Sequence, residues 1–230
     1  MVRSIARSLA ILFVVVSGLL AAQDARVRGH VSVSHHSKRE SDSADAVVWL
    51  TALNGNGNPS PTAGAKLVQK NKRFTPHVIA IAVGSEIEFP NQDPFFHDVF
   101  SIYRGKPFDL GLYESGSSRK VRFSQPGVSY IFCSIHPEMS AAVVALPTPY
   151  FAATAHDGIF QINHVPAGRY KLQVWYELAT EAELASITQE IDIKPGDNML
   201  PPIALHSSDI PVEHLDKYGQ PYQREKEKNY

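Results

Sequence analysis

Phe132-Cys133-Ser134-Ile135-His136-Pro137-Glu138-Met139 holds the only cysteine of the 230-residue chain, followed closely by a histidine and a methionine. A thiolate, an imidazole and a thioether this near each other form a soft, mixed-donor set. Such a set suits copper better than magnesium or calcium, which take oxygen ligands, and better than a structural zinc, which takes four nitrogen or sulfur ligands. A trigonal copper site needs a second imidazole. The best candidate is His97, in Asn91-Gln92-Asp93-Pro94-Phe95-Phe96-His97-Asp98-Val99-Phe100. Taken singly, each donor has an ordinary explanation: Cys133 as a small buried hydrophobe, Met139 as core filler, His97 as a hydrogen-bonded loop residue. Their combination, with strand and turn signals on both sides, points to a metal.

Outward from this stretch the chain reads as short strands. Candidates lie at 66–69, 74–76, 77–83, 86–89, 99–102, 120–123, 129–133 and 141–146, with turn signals between them, notably Pro90-Asn91 and Gln125-Pro126-Gly127. Strands of this length and spacing predict a sandwich or barrel. Composition agrees: 16 prolines, 14 glycines and 43% hydrophobic residues suit an all-β chain with frequent turns and a real core. A net charge of -1 gives no basic field for a nucleic acid.

Before this block, 27–33 alternates like a strand, 35–45 is a polar loop, 46–50 is an apolar strand, and 54–65, rich in Asn, Gly and Pro, reads as a linker. After it, a third block over 148–206 contains further alternating strands, with one helical turn expected at 179–185. The tail, 207–230, is polar and is expected to be mobile from Glu213 onward. His35-His36 is weak evidence for a second metal site, while His156 and His164 read as surface residues.

Residues 1–22 read as an export signal. Arg3 and Arg7 are followed by an apolar run and by Ala21-Ala22. The run is about twelve residues, short of the roughly 20 needed to span a membrane. The expectation is therefore an exported chain, periplasmic or else secreted or at the cell surface, with no stable membrane insertion after cleavage. An exported protein with one cysteine cannot close an internal disulfide. Cys133 is then buried and inert, intermolecular, or a metal ligand.

With these residues in view, the middle block, 66–147, resembles a cupredoxin of the plastocyanin and pseudoazurin type. The matching pieces are Phe74-x-Pro76, Val83-Gly84-Ser85-x-Ile87-x-Phe89-Pro90-Asn91-x-Asp93, His97-x-Val99-Phe100-Ser101 and Cys133-x-x-His136-x-x-Met139. Phe108-Asp109-Leu110-Gly111-Leu112-Tyr113 also resembles a group of exported cupredoxins labelled methylamine-utilisation proteins. The resemblance implies a Greek-key β-sandwich holding one type 1 copper per chain on His97, Cys133 and His136, with Met139 as a weak axial ligand. Two positions depart from the family's common pattern: Asp98 and Ser134 both stand where asparagine is frequent. The third block resembles a carboxypeptidase-regulatory-like sandwich of the immunoglobulin or transthyretin kind, through Asp157-Gly158-x-Phe160 and Val165-Pro166-x-Gly168-x-Tyr170. Its opening strands are missing just upstream, but Gly29-x-Val31 and Val47-Val48-Trp49-Leu50 supply them. The expectation is a cupredoxin inserted into a discontinuous second sandwich made of 26–53 and 148–206; the alternative is that 26–53 are N-terminal strands of the cupredoxin itself.

The resemblance implies an electron carrier working between redox partner proteins. The sequence carries no nucleophile triad, no paired carboxylates in a motif and no phosphate loop, and the implied ligand set leaves no open position for a substrate, so no enzyme is expected. Two other functions fit the same residues: a copper-binding or copper-delivery protein without redox turnover, and a cell-surface interaction module with a vestigial copper site.

Overall fold

The computed structural model describes residues 24–34, 45–55, 57–102, 105–207 and 214–222. The expected export signal and the His35-His36 pair lie outside them. Strands begin with β1 (Asp24–Ser34) and β2 (Val47–Ala52). The middle of the chain forms β3 (Val68–Gln69), β4 (Phe74–Thr75), β5 (Val78–Ala82), β6 (Glu86–Pro90) and β7 (His97–Ser101). It continues with β8 (Phe108–Tyr113), β9 (Ser118–Arg122), β10 (Gly127–Cys133) and β11 (Ser140–Leu146). Then come β12 (Phe151–Ala153), β13 (Ile159–Pro166), β14 (Gly168–Trp175), β15 (Gln189–Ile193), β16 (Gly196–Met199) and β17 (Ile203–His206). A single helix, α1 (Glu181–Ile187), interrupts the strands among the described residues. The all-β expectation holds. The helix starts two residues later than the sequence suggested, because the Thr180 side chain caps it by accepting from Glu183 N–H at 3.2 Å.

The strands stack in four layers. One sheet runs β13-β1-β16, with β17 also beside β1; a second runs β12-β2-β14-β15; a third runs β5-β11-β10-β7-β8; the pairs β6-β9 and β3-β4 form the last layer. Val27, Val31 and Val33 of the first sheet meet Val48, Leu50, Leu172 and Val174 of the second in one core. Ile81, Val99, Ile131 and Val143 of the third sheet meet Phe74, Ile87, Phe89 and Val121 of the last layer in another. Between the second and third sheets lies a third apolar interior, built from Val47, Val78, Ala142, Val144, Leu146 and Trp175.

This stacking explains two unbroken apolar runs. Side chains alternate along a strand, so a strand covered on both faces has no place for polar residues. In β2, Val48 and Leu50 enter the first core while Val47 faces the third sheet. In β11, Ala141, Val143 and Ala145 enter the inner core, and Ala142, Val144 and Leu146 face the second sheet. Each fully buried valine or leucine contributes about 1.5–3 kcal/mol.

β1 and β2 pair with strands from the last third of the chain, not with the block that follows them. β1 lies antiparallel to β13 and parallel to β16 and β17; β2 lies antiparallel to β12 and β14. Gly29 stands opposite Phe160, and a Cβ there would lie 2.6 Å from the Phe160 ring, so no larger residue fits without displacing the aromatic.

Candidate metal centre

Strand register brings the distant donors together. β10 and β7 are antiparallel neighbours, with Cys133 opposite Val99 and Phe132 opposite Phe100. His97 lies two residues before Val99, on the same face of its strand and at its end. That face is the inner core, which contains both Val99 and Cys133. The ladder of β7 against β8 is irregular between Asp98 and Phe100, a distortion of the kind found beside functional sites. After Cys133 the chain turns at once: Met139 N–H donates to the His136 carbonyl at 3.1 Å, and Cys133 N–H donates to the Met139 carbonyl at 3.3 Å. The turn folds His136 back over the strand end.

The result is a triangle of ligand atoms. His97 Nδ1 is 3.6 Å from Cys133 Sγ, Cys133 Sγ is 3.5 Å from His136 Nδ1, and the two Nδ1 atoms are 3.2 Å apart. The centre of such a triangle is about 2 Å from each corner, which is a metal–nitrogen bond length and slightly short of a metal–sulfur bond. His97 and Cys133 are buried and His136 is partly exposed. These three residues each offer one ligand atom and could together hold a metal ion. Met139 is fully buried in the same core, at the close of the loop that carries His136. His156 and His164 are exposed and far from this end in the strand order, with His164 Nδ1 3.0 Å from the Asp24 carboxylate.

The electrostatics favour a neutral, metal-ready set. Burial pushes the Cys133 thiol above its usual range, and backbone N–H groups only partly offset this. The thiol therefore holds its proton until a cation displaces it. Burial, then the neighbouring His97 and Lys72, lower the His136 imidazole, so its lone pair is available.

Asp93, which closes the Phe89-Pro90-Asn91-x-Asp93 stretch, fixes His97. Its Oδ2 lies 2.9 Å from His97 Nε2, and both side chains are buried. Hydrogen bonding at Nε2 leaves Nδ1 to face the cluster, the usual way a carboxylate sets an imidazole ligand. Burial raises the Asp93 carboxyl, but N–H donors from Lys72, His97 and Asn71 outweigh it and hold the group below its ordinary value. Asn71 and Lys72 both occupy positive φ, 55° and 54°, which presents their successive amides to Asp93 at 2.6 and 3.0 Å. Asn91 ties the same loop down, accepting from Asp93 N–H and donating to the Phe95 carbonyl. The Phe95 ring sits 5.4 Å from both imidazoles. An aspartate four residues before a candidate histidine ligand was the available sequence signal.

Of the polar tail expected to be mobile, residues 214–222 are described, and they pack at this end of the molecule. The His214 ring stacks on Phe132 with centroids 3.9 Å apart, and Lys217 pairs with Asp98 at 2.8 Å. Polar composition suggested solvent, but here a ring stack and an ion pair offset the loss of chain freedom.

No family model matches the chain, and no curated protein matches it. Among solved structures it is similar to a purple cupredoxin from Nitrosopumilus maritimus, at 23% identity over 36% of this chain and 99% of that one, with a TM-score of 0.33. It is similar to the copper-containing nitrite reductase from Thermus scotoductus SA-01, at 25% identity over 39% of this chain and 25% of that one, with a TM-score of 0.34. It is similar to amicyanin from Paracoccus versutus, at 16% identity over 42% of this chain and 97% of that one, with a TM-score of 0.33. Each likeness covers less than half of the present chain.

Proposed function

We propose that the chain is an exported one-electron carrier whose centre is a type 1 copper held by His97, Cys133 and His136, with Met139 as the long axial ligand. The observation that carries this is the largely buried triangle of two imidazole nitrogens and one cysteine sulfur, with sides of 3.2–3.6 Å. Its dimensions fit one metal ion, and the donor types fit copper over zinc or a hard cation. Bound there, copper would supply a one-electron couple. The protein's part is to hold the donors still. Asp93 fixes one imidazole, the turn through Pro137 fixes the other, and two flanking strands fix the thiolate. A donor set intermediate between the preferences of the two oxidation states leaves little to rearrange when an electron arrives.

His136 is the donor with access to solvent, flanked by the exposed Ile135 and Pro137. An apolar rim around an exposed ligand suits brief docking of redox partner proteins. In this reading 66–147 is a cupredoxin domain set within a split sandwich of 26–53 and 148–206. No substrate position and no catalytic group enters it.

The test is a copper titration of the chain from residue 23 onward, followed by visible and EPR spectra. Intense thiolate-to-copper charge transfer at one copper per chain is expected, and it should vanish in Cys133→Ser. A copper-loaded protein without colour would end the electron-carrier reading.

A further inference from the structure

The segment 214–222 touches the metal end at three points, each on a group next to a donor. The Tyr222 hydroxyl donates to the Cys133 carbonyl at 2.9 Å. The N–H of the next residue, Ser134, donates to the Asp98 carbonyl at 2.8 Å. The peptide joining Cys133 to Ser134 is thus held at both ends, from the tail on one side and from β7 on the other. A peptide so pinned restricts the direction in which the Cys133 side chain leaves the strand.

The second point is the turn. His214 Nε2–H donates to the Pro137 carbonyl at 2.9 Å while its ring stacks on Phe132, the residue before Cys133. Tyr222 and His214 also contact each other, hydroxyl to Nδ1 at 3.1 Å. The loop carrying His136 and Met139 is therefore braced from outside at Pro137, between those two donors.

The third point is charge. Lys217 Nζ lies 2.8 Å from Asp98 Oδ2 and 3.1 Å from Asp109 Oδ2, with its own side chain only 14% exposed. Asp98 directly follows His97, and its side chain is almost fully buried. A carboxylate in that position without its cation would leave an unpaired buried charge. It would also favour the more positive oxidation state of any metal at the neighbouring cluster.

We propose that residues 214–222 are part of the metal centre: Tyr222 and His214 are positioning residues for the Cys133–Met139 loop, and Lys217 offsets the charge of Asp98 beside the metal. This deepens the copper reading and rests on it. The segment acts through the ligands without contacting the metal.

Three variants in the full chain test it. Tyr222→Phe removes one hydroxyl and keeps the ring. Lys217→Met removes the charge and keeps most of the stem, and Lys217→Arg restores the charge. In the metal-free protein, Tyr222→Phe should speed amide hydrogen exchange across 134–139. In the copper-loaded protein it should shift the charge-transfer band and release copper to a chelator roughly tenfold faster, in line with the loss of other outer-shell partners. Lys217→Met should move the redox midpoint toward the oxidised form, and Lys217→Arg should return it. Wild-type band, release rate, midpoint and exchange in all three variants would overturn the inference and leave the copper reading standing. A wild-type chain that takes up no copper overturns both before any variant is compared.

Discussion

The two sandwich interiors differ in what they bury. The core between the first and second sheets is apolar: valine, leucine, isoleucine, alanine, phenylalanine and tyrosine. Buried polar groups near it include the hydroxyls of Thr148, donating to the Leu50 carbonyl, and Thr154, accepting from Ala46 N–H. The inner sandwich buries Gln69, Asn91, Asp93, His97, Asp98 and Cys133 as well. Desolvating such groups costs several kcal/mol unless they are hydrogen-bonded, and here most are linked: Gln69 to the Tyr113 hydroxyl and the Phe89 carbonyl, Asn91 to Asp93, Asp93 to His97, while Gln69 Oε1 and Asp98 Oδ1 have no hydrogen-bond partner among the described residues. One interior is built for cohesion and the other accepts polar burial where it orients the His97 imidazole. The sharpest way to break this contrast is to damage the cohesive side and watch the other. Leu50→Ala, deep in the first core, should lower the unfolding free energy by about 2–5 kcal/mol in a denaturant titration. The visible band of the copper-loaded protein should not move. A band that shifts with Leu50 would mean the two interiors are not separable.

The converse substitution is smaller in free energy and larger at the site. Asp93→Asn keeps the size of the side chain but removes the charge that steadies the His97 ring. Copper retention against a chelator should fall by roughly 10–100-fold, the range seen when partners of ligating histidines are lost. Far-ultraviolet circular dichroism should be unchanged. If retention is unaltered, the 2.9 Å contact of Asp93 with His97 is not what holds the imidazole.

How much of this was readable beforehand follows from the range of the interactions. The loop from Cys133 to Met139 announced itself because its donors are neighbours in sequence. His97 is the imidazole that the donor chemistry asks for, and the strand register brings it beside Cys133 and His136. The all-β class was legible in alternation and turn residues. What stayed hidden depends on contacts between residues far apart that carry no local signature. Asn71 and Lys72 serve Asp93 only because two turns meet in space. Tyr222 and Lys217 reach β10 and β7 from the far end of the chain, and their polar neighbours gave no periodicity to read. The same holds for the double burial of β2 and β11: the apolar runs were visible, but what covers each face depends on how sheets stack.

The contact between the two sandwiches offers the finest test of the contrast, because its polar rim can be titrated. His77, next to β5, places Nε2 2.6 Å from the carboxylate of Glu177, next to β14, and Nδ1 3.1 Å from the Ser140 carbonyl. The hydrogen bond to Glu177 raises the imidazole above 6.5 and outweighs the burial that opposes it. A raised folded-state value means the folded form binds the proton more tightly. The stabilisation is therefore complete below 6.5 and fades as pH rises through the higher folded value. His77 is partly exposed and its charge is screened, so the effect should be under about 1 kcal/mol. Unfolding of the wild type and of His77→Gln, compared between acid and alkaline pH, should show a gap that narrows as pH increases. A gap that widens with pH would mean that His77 is held in the neutral form, and that the rim between the sandwiches contributes packing with no ion pair.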